Sequence, residues 1–189
     1  MKERKNSIRE ILRQKKDAML PEDRLEKSRM ICRYLMEIIG NKEIVMVYTS
    51  KEKEVNTEPL IHALFGNGSP VVVPIIVKED ASLRLSYIRD FSALVPSTFG
   101  VPEPIGNEIP AAAEDIDTII LPMLGFDRMG GRIGYGAGYY DRFLSKNRTL
   151  RKIGIAFACQ EVDNLPLDEN DIRMDSVVIE DGIVYPAGR

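Results

Sequence analysis

The chain is poor in the residues that most often carry unassisted chemistry. Among 189 residues there are 2 cysteines, 1 histidine and no tryptophan. Cys32 and Cys159 lie far apart and form no Cys-x-x-Cys pair, which excludes a disulfide framework and a thiolate metal knuckle. The composition predicts that both are buried, reduced thiols of a cytoplasmic protein. The lone histidine, His62, removes most catalytic triads and His-rich metal sites. Its place in TEPLIHALF, on an expected helix, predicts a structural or solvent-facing role. No apolar run approaches the roughly eighteen residues of a membrane span. The N-terminal MKERKNSIREILRQKK is too charged for a signal-peptide core, and Glu3, Glu10 and Asp17 argue against a basic targeting segment. A net charge of −3 gives no nucleic-acid signature. With 44% hydrophobic and 29% charged residues, the composition is that of an ordinary globular protein.

The order of periodic segments predicts an α/β fold. Two helices are expected in residues 1–40. Ile8, Leu12 and Met19 mark the apolar stripe of the first; Leu25, Ile31, Leu35 and Ile38 mark that of the second, between Pro21 and Gly40. Buried strands are expected at 44–48, 71–77, 116–121 and 152–157, a half-exposed strand at 83–88, and short strands at 176–179 and 183–185. Thr57 is placed to cap a third helix with Pro59 in its first turn, and a fourth helix is expected over 139–146. A proline-rich connector runs from Pro96 to Pro110. Helix and strand alternate, so the expected architecture is a three-layer α/β/α single domain over 1–189, with a mostly parallel or mixed central sheet. Ligands of such sheets bind at the carboxyl ends of strands.

What the chain does have is LPMLGFDRMGGRIGYGAGYYDRFL, Leu121 to Leu144, with five glycines between Gly130 and Gly138. A glycine loop entering a helix presents backbone N–H groups and a positive dipole end, which suits phosphate. It is neither a Walker A motif, since no Gly-Lys-Ser/Thr follows, nor a Rossmann fingerprint, since Gly134, Gly136 and Gly138 run G-x-G-x-G. On spacing alone a structural turn competes equally. Arg132 adds a forked cation suited to phosphate, and Asp141 either caps the helix or coordinates Mg²⁺. As a loop arginine, Arg132 is expected to be exposed and dispensable for stability. Four further features allow two readings each. Lys5 and Arg9 share a helical face, either solvated or ligand-facing. Glu54, after a strand, either reads ligand N–H groups or belongs to a polar loop. Asp171 and Asp175 are second metal acids or loop acids. Phe99, in FGVPEP, is an aromatic lid or a core residue.

Together these segments resemble the 5-formyltetrahydrofolate cyclo-ligase (5,10-methenyltetrahydrofolate synthetase) family. The glycine segment is similar to its P-G-x-x-F-D-x-x-G-x-R-[LI]-G-x-G-x-G-Y-Y-D signature, with Pro122-Met123 standing for the first pair. Lys5 and Arg9, Ser28, Glu54, FGVPEP and LPLDENDIRMDSVV fit in order, so the resemblance covers nearly the whole chain. It implies conversion of 5-formyltetrahydrofolate to 5,10-methenyltetrahydrofolate with ATP as co-substrate and Mg²⁺, through a phosphorylated formyl intermediate closed by N10. It implies that Lys5, Arg9 and Arg132 act catalytically on the ATP phosphates. It implies nucleotide contacts from Ile133, Gly134, Tyr135, Gly136, Ala137, Gly138, Tyr139 and Tyr140. Substrate contacts are implied for Thr49, Glu54, Phe99, Tyr135 and Tyr139, and a metal site for Asp141 with Asp171 or Asp175. Tyr135 and Ala137 stand where some members carry basic residues, and Lys51 or Lys53 could supply that charge instead. The implied partners are the reduced folate and ATP, with no nucleic acid and no membrane; the chain is expected to be a monomer. Two other classes share these features: another ATP-dependent small-molecule kinase or ligase, and a non-catalytic folate- or nucleotide-binding protein.

Overall fold

The computed structural model describes residues 2–169 and 171–186. Two N-terminal helices, α1 (Lys2–Asp17) and α2 (Pro21–Ile38), precede strand β1 (Val45–Val47), helix α3 (Glu58–Gly66) and strands β2 (Val71–Val77) and β3 (Ser82–Ile88). Three two-residue strands follow: β4 (Val95–Pro96), β5 (Pro102–Glu103) and β6 (Ile109–Pro110). Strand β7 (Thr118–Pro122) leads into the small hairpin β8 (Gly125–Phe126) and β9 (Arg132–Ile133), then helix α4 (Tyr139–Lys146). The chain closes with β10 (Arg151–Ile155), β11 (Ser176–Ile179) and β12 (Gly182–Val184).

Eight strands form one sheet in the order β12-β11-β10-β7-β1-β2-β3-β6. The centre, β11-β10-β7-β1-β2, is parallel, and both flanks turn antiparallel. Parallel strands need both faces covered, and the sequence supplies apolar side chains to each in alternation. Val45 and Val47 face one core with Val71, Val73, Ile120, Ile153 and Ile155, against Ile31 and Leu35 of α2 and Leu60, Ile61 and Leu64 of α3. Met46 points the other way, with Val72, Ile119, Leu121 and Val177, against Leu144 of α4. This is the three-layer α/β/α arrangement with a mixed sheet.

Helix α1 stands outside the layers. Leu12, fully buried, packs with Leu124, Ile133 and Leu165, so α1 lies beside the β8–β9 hairpin, just past the carboxyl end of β7. Several local expectations change. Thr57 makes no capping bond: its hydroxyl donates to Tyr48 O at 2.7 Å, and Asn56 Oδ1 accepts from Glu58 N instead. Leu25 is exposed, because α2 covers the sheet only along its Ile31–Leu35 side. Both cysteines are half-buried rather than buried. The proline-rich connector is not structureless; it carries β4, β5 and β6. Among the described residues no helix is long and apolar enough to cross a membrane.

Candidate active site

A cavity of about 420 Å³ opens where β1, β2 and β7 end, between α1, the glycine loop and the connector. That size suits a small-molecule site. One buried acid organises the loop beneath it. Asp127, 1% exposed, accepts from Met129 N, Gly131 N and Leu165 N at 2.8–3.0 Å. A Cβ on Gly131 would sit 2.7 Å from the Asp127 carboxylate, so this turn requires glycine. Gly136 follows at φ 105°, with the Arg9 guanidinium carbon 3.6 Å from where its Cβ would be. The chain then enters α4, whose first turn carries Asp141.

Three cations converge on the cavity, Lys5 and Arg9 from α1 and Arg132 from β9, and each is already engaged. Arg132 donates to Asp141 Oδ1 and lies 6.0 Å from the Tyr140 ring centroid. Arg9 donates from Nε to Gly134 O at 2.9 Å and from Nη1 to Asn6 Oδ1 at 2.7 Å. Lys5 bridges Asp168, at 2.9 Å, and Asp171. Burial works against the Lys5 ammonium, but its hydrogen bonds to Asp171 and Asp168 prevail and raise its pKa. Arg132 is not exposed: its side chain is 4% accessible, because β9 pairs with β8 and turns the guanidinium inward over Tyr140.

The opposite wall is built from the β1–α3 loop and the connector. Glu54 accepts from Lys51 N at 2.9 Å through Oε2. Burial, and then the nearby Glu54 charge, push the Tyr135 phenol far above its ordinary pKa. Tyr48 donates to Val55 O at 3.1 Å and is buried behind this wall. Thr49 donates its hydroxyl to Pro102 O at 2.6 Å, tying the connector to the end of β1. Glu103, fully buried, accepts from Ile76 N at 2.7 Å and ties it to β2. These two ties set out Phe99, which is exposed, left-handed at φ 56°, and lies under the Lys78 ammonium at 5.0 Å. Phe99 is therefore a lip of the cavity, not a core residue.

The cavity thus gathers Lys5, Arg9, Thr49, Glu54, Phe99, Arg132, the stretch Ile133–Tyr140, Asp141 and Asp171. Asp175 is not among them. It opens β11 at the amino end of the parallel strands, where it accepts from Lys152 N at 2.7 Å and pairs with Lys152 Nζ at 3.0 Å. That places it at the far edge of the sheet from Asp141. Lys51 lines the cavity, its ammonium 5.9 Å from the Tyr135 ring centroid; Lys53 instead pairs with Asp17 at 3.0 Å. The apolar walls Pro74, Ile76, Leu83, Val101 and Pro122 escaped sequence reasoning, although a proline inside an apolar strand was a signal. Among the described residues no group of three or more His, Cys, Asp or Glu could hold a metal ion. Asp141 and Asp171 line the cavity without forming a closed cage, which fits Mg²⁺, an ion held by one or two carboxylates together with ligand phosphates.

Comparison with known proteins places this geometry. The model of the 5-formyltetrahydrofolate cyclo-ligase family matches residues 1–180. The 5-formyltetrahydrofolate cyclo-ligase of Escherichia coli (strain K12) is 31% identical over 177 residues, spanning 89% of this chain and 96% of its own. That of Mus musculus is 27% identical over 190 residues, 94% of each chain. The NMR structure of Aquifex aeolicus 5,10-methenyltetrahydrofolate synthetase superimposes with a TM-score of 0.82 at 26% identity, over 98% of this chain and 94% of that one. The Mycoplasma pneumoniae 5,10-methenyltetrahydrofolate synthetase, at 24% identity and a TM-score of 0.72, shares the fold. With its glycine signature, its sheet and its relatives in agreement from end to end, the chain belongs to the 5-formyltetrahydrofolate cyclo-ligase family.

Proposed function

We propose that this protein converts 5-formyltetrahydrofolate to 5,10-methenyltetrahydrofolate, consuming ATP and releasing ADP and phosphate. The observation that carries the residue roles is the convergence of three cations, a glycine loop and a separate carboxylate wall on one cavity. The formyl oxygen of the substrate takes the γ-phosphoryl group, so a carbon–oxygen bond that water would not break becomes a bond to a leaving phosphate. N10 attacks the activated carbon, loses its proton, and the phosphate departs with the former formyl oxygen. Phosphoryl transfer of this kind asks for positioning and charge neutralisation more than for a strong base, which suits a site without histidine.

In this reading Lys5, Arg9 and Arg132 neutralise the phosphates, and the loop from Ile133 to Tyr140 wraps the nucleotide. Asp141 and Asp171 would hold Mg²⁺ on the phosphates, where the ion supplies further charge neutralisation. Glu54 accepts from the N–H edge of the pterin, Phe99 covers its ring, and Tyr135 and Tyr139 line the passage between the two ligands. Thr49, which lines the cavity, borders the substrate while its hydroxyl holds the connector through Pro102 O. The test is to mix the protein with 5-formyltetrahydrofolate and Mg-ATP and follow the absorbance of the methenyl product. Folded protein that gives no ATP-dependent signal refutes the proposal.

A further inference from the structure

Glu103 is a fully buried acid that the proposed chemistry leaves unused. It stands behind the cavity rather than in its lining, and its Oε1 accepts from Ile76 N at 2.7 Å. Its other oxygen, Oε2, is buried without a hydrogen-bond partner among the described residues. An apolar side chain would fill this place without an orphan oxygen but would leave Ile76 N unpaired, so the bond to Ile76 is what the glutamate is there to make. Ile76 N needs a partner for a topological reason. Strand β1 pairs with β2 through Val45↔Val71 and Met46↔Val72 and ends at Val47, whereas β2 runs on to Val77. Past β1 the edge of β2 is met by the connector instead, and Glu103 supplies the acceptor that a strand would.

This bond sits where it governs the Phe99 lip. Pro102 and Pro104 flank Glu103 and fix the backbone torsion on either side of it. Glu103 and Pro102 pair with Val95 and Pro96. The turn between them is closed on itself by Ser97 N to Val101 O, Gly100 N to Ser97 O and Val101 N to Thr98 O, at 2.9–3.1 Å. The tip carrying Phe99 is therefore one bonded unit, and its attachment decides where the ring stands. Among the described residues, Glu103 ties this hairpin to β2 and Thr49 ties it to the end of β1, while the Lys78 ammonium over the ring adds a weaker contact. Ile76, at one end of the Glu103 bond, and Val101 and Phe99, beyond the other, all line the cavity. We infer that Glu103 is a positioning residue for the folate: through Ile76 N it holds the hairpin so that Phe99 covers the pterin. This rests on the reading of Phe99 above. What it requires at position 103 is an acceptor at the end of a side chain of this length, not a negative charge.

The test compares Glu103→Met, which keeps the length but removes the acceptor, with Glu103→Gln, which keeps an acceptor oxygen and removes the charge. With Glu103→Met the folate KM should rise about tenfold, as for a lip in place about a tenth of the time, while kcat and the ATP KM hold. Glu103→Gln should keep the folate KM of the unaltered protein. If Glu103→Met does not fold, Glu103→Asp takes its place with the same expectations, since it keeps the carboxylate but falls one carbon short of Ile76 N. The chain has no tryptophan, so Phe99→Trp makes a single reporter at the lip. Its fluorescence anisotropy in the free protein should fall when Glu103→Met is added and hold when Glu103→Gln is added. In a Phe99→Ala background Glu103→Met should leave the folate KM where Phe99→Ala puts it, because the ring it places is gone. An unchanged folate KM, a parallel rise in the ATP KM, a rise with Glu103→Gln equal to that with Glu103→Met, an unmoved anisotropy, or full multiplicative addition to Phe99→Ala would each overturn the inference. Phe99→Ala alone is the control. If it leaves the folate KM unchanged, the reading of Phe99 fails and the role of Glu103 with it. If it raises the KM while Glu103→Met does not, the role of Glu103 alone fails.

Discussion

Replacing Arg132 with alanine should separate a cost in stability from a larger cost in turnover. The guanidinium is 4% exposed and its partner Asp141 33% exposed. Removing one member of a fully buried pair costs about 3–5 kcal/mol, whereas an exposed pair contributes about 0–1 kcal/mol. Solvent reaches a third of Asp141, so its stranded charge is partly screened. Arg132 Nε also has no hydrogen-bond partner among the described residues, so the wild-type fork already carries an unsatisfied group that alanine removes. Both considerations pull the expected loss to about 2 kcal/mol. For a chain of this length that lowers Tm by about 4–8 °C. Protein of ordinary stability remains folded at 25 °C after such a loss, and turnover measured there should still fall about a hundredfold or more, as for other removed charge stabilisers. The decisive comparison is a thermal melt of Arg132→Ala, Asp141→Asn and the double variant. Asp141→Asn removes the stranded charge, so the double variant should melt above Arg132→Ala. Strict additivity of the two single losses would refute the reasoning, since it would mean that the pair does not couple.

Glu54→Gln should raise the folate KM by about tenfold or more and leave the ATP KM in place, since a ligand N–H edge would face an amide that can present a donor; steady-state kinetics on each substrate reads this. Gly136→Ala forces a Cβ onto a backbone at φ 105°, so it should weaken ATP binding measured by calorimetry and cost about 1–2 kcal/mol in denaturant unfolding. Asp175→Asn should leave the Mg²⁺ dependence of turnover unchanged and lower Tm, because Asp175 holds Lys152 at the far end of the sheet. ATP without a divalent cation should raise Tm less than Mg-ATP at the same concentration; equal shifts would exclude a metal between nucleotide and Asp141.

The layers of the fold were legible because their causes are local. The short unbroken apolar run around Val45–Val47 and the proline and glycine stops around α2 and α3 act over a few residues, so a local reading detects them. What stayed hidden depends on contacts between distant segments. Nothing in residues 2–17 states that α1 leaves the layers to lie beside the β8–β9 hairpin. That follows from Leu12 meeting Leu124 and Ile133, and from Lys5 meeting Asp168 and Asp171. Strands β4, β5 and β6 are two residues each, too short for any period to register. Asp171 and Asp175 look equivalent in DENDIRMDSVV, yet the chain between them travels the length of a strand before β11 begins. Arg132 belongs with these residues for a related reason: a glycine-rich loop reads as exposed, and only its pairing into β9 turns the side chain inward.

The paired state of the cations bears on how the site works. Before any ligand arrives, Lys5 is held by Asp168 and Asp171, Arg132 by Asp141, and Arg9 by Gly134 O and Asn6. The cavity therefore is not a bare well of positive charge waiting for phosphate. In the proposed reading a polyanion entering it would replace these partners, so its binding would be an exchange of contacts whose net gain is the difference between two sets. The displaced carboxylates do not leave, because Asp141 is fixed in the first turn of α4 and Asp171 in the loop it shares with Asp168. Left alone beside phosphates they would repel them. In the proposed reading a divalent cation held by Asp141 and Asp171 would offset this repulsion by neutralising charge. The same pairs keep three long cationic side chains extended into one small cavity at moderate cost, so little ordering remains to be done when the nucleotide binds. On this account the acids of the phosphate side serve twice, first holding the cations in place and then joining the charge that replaces them.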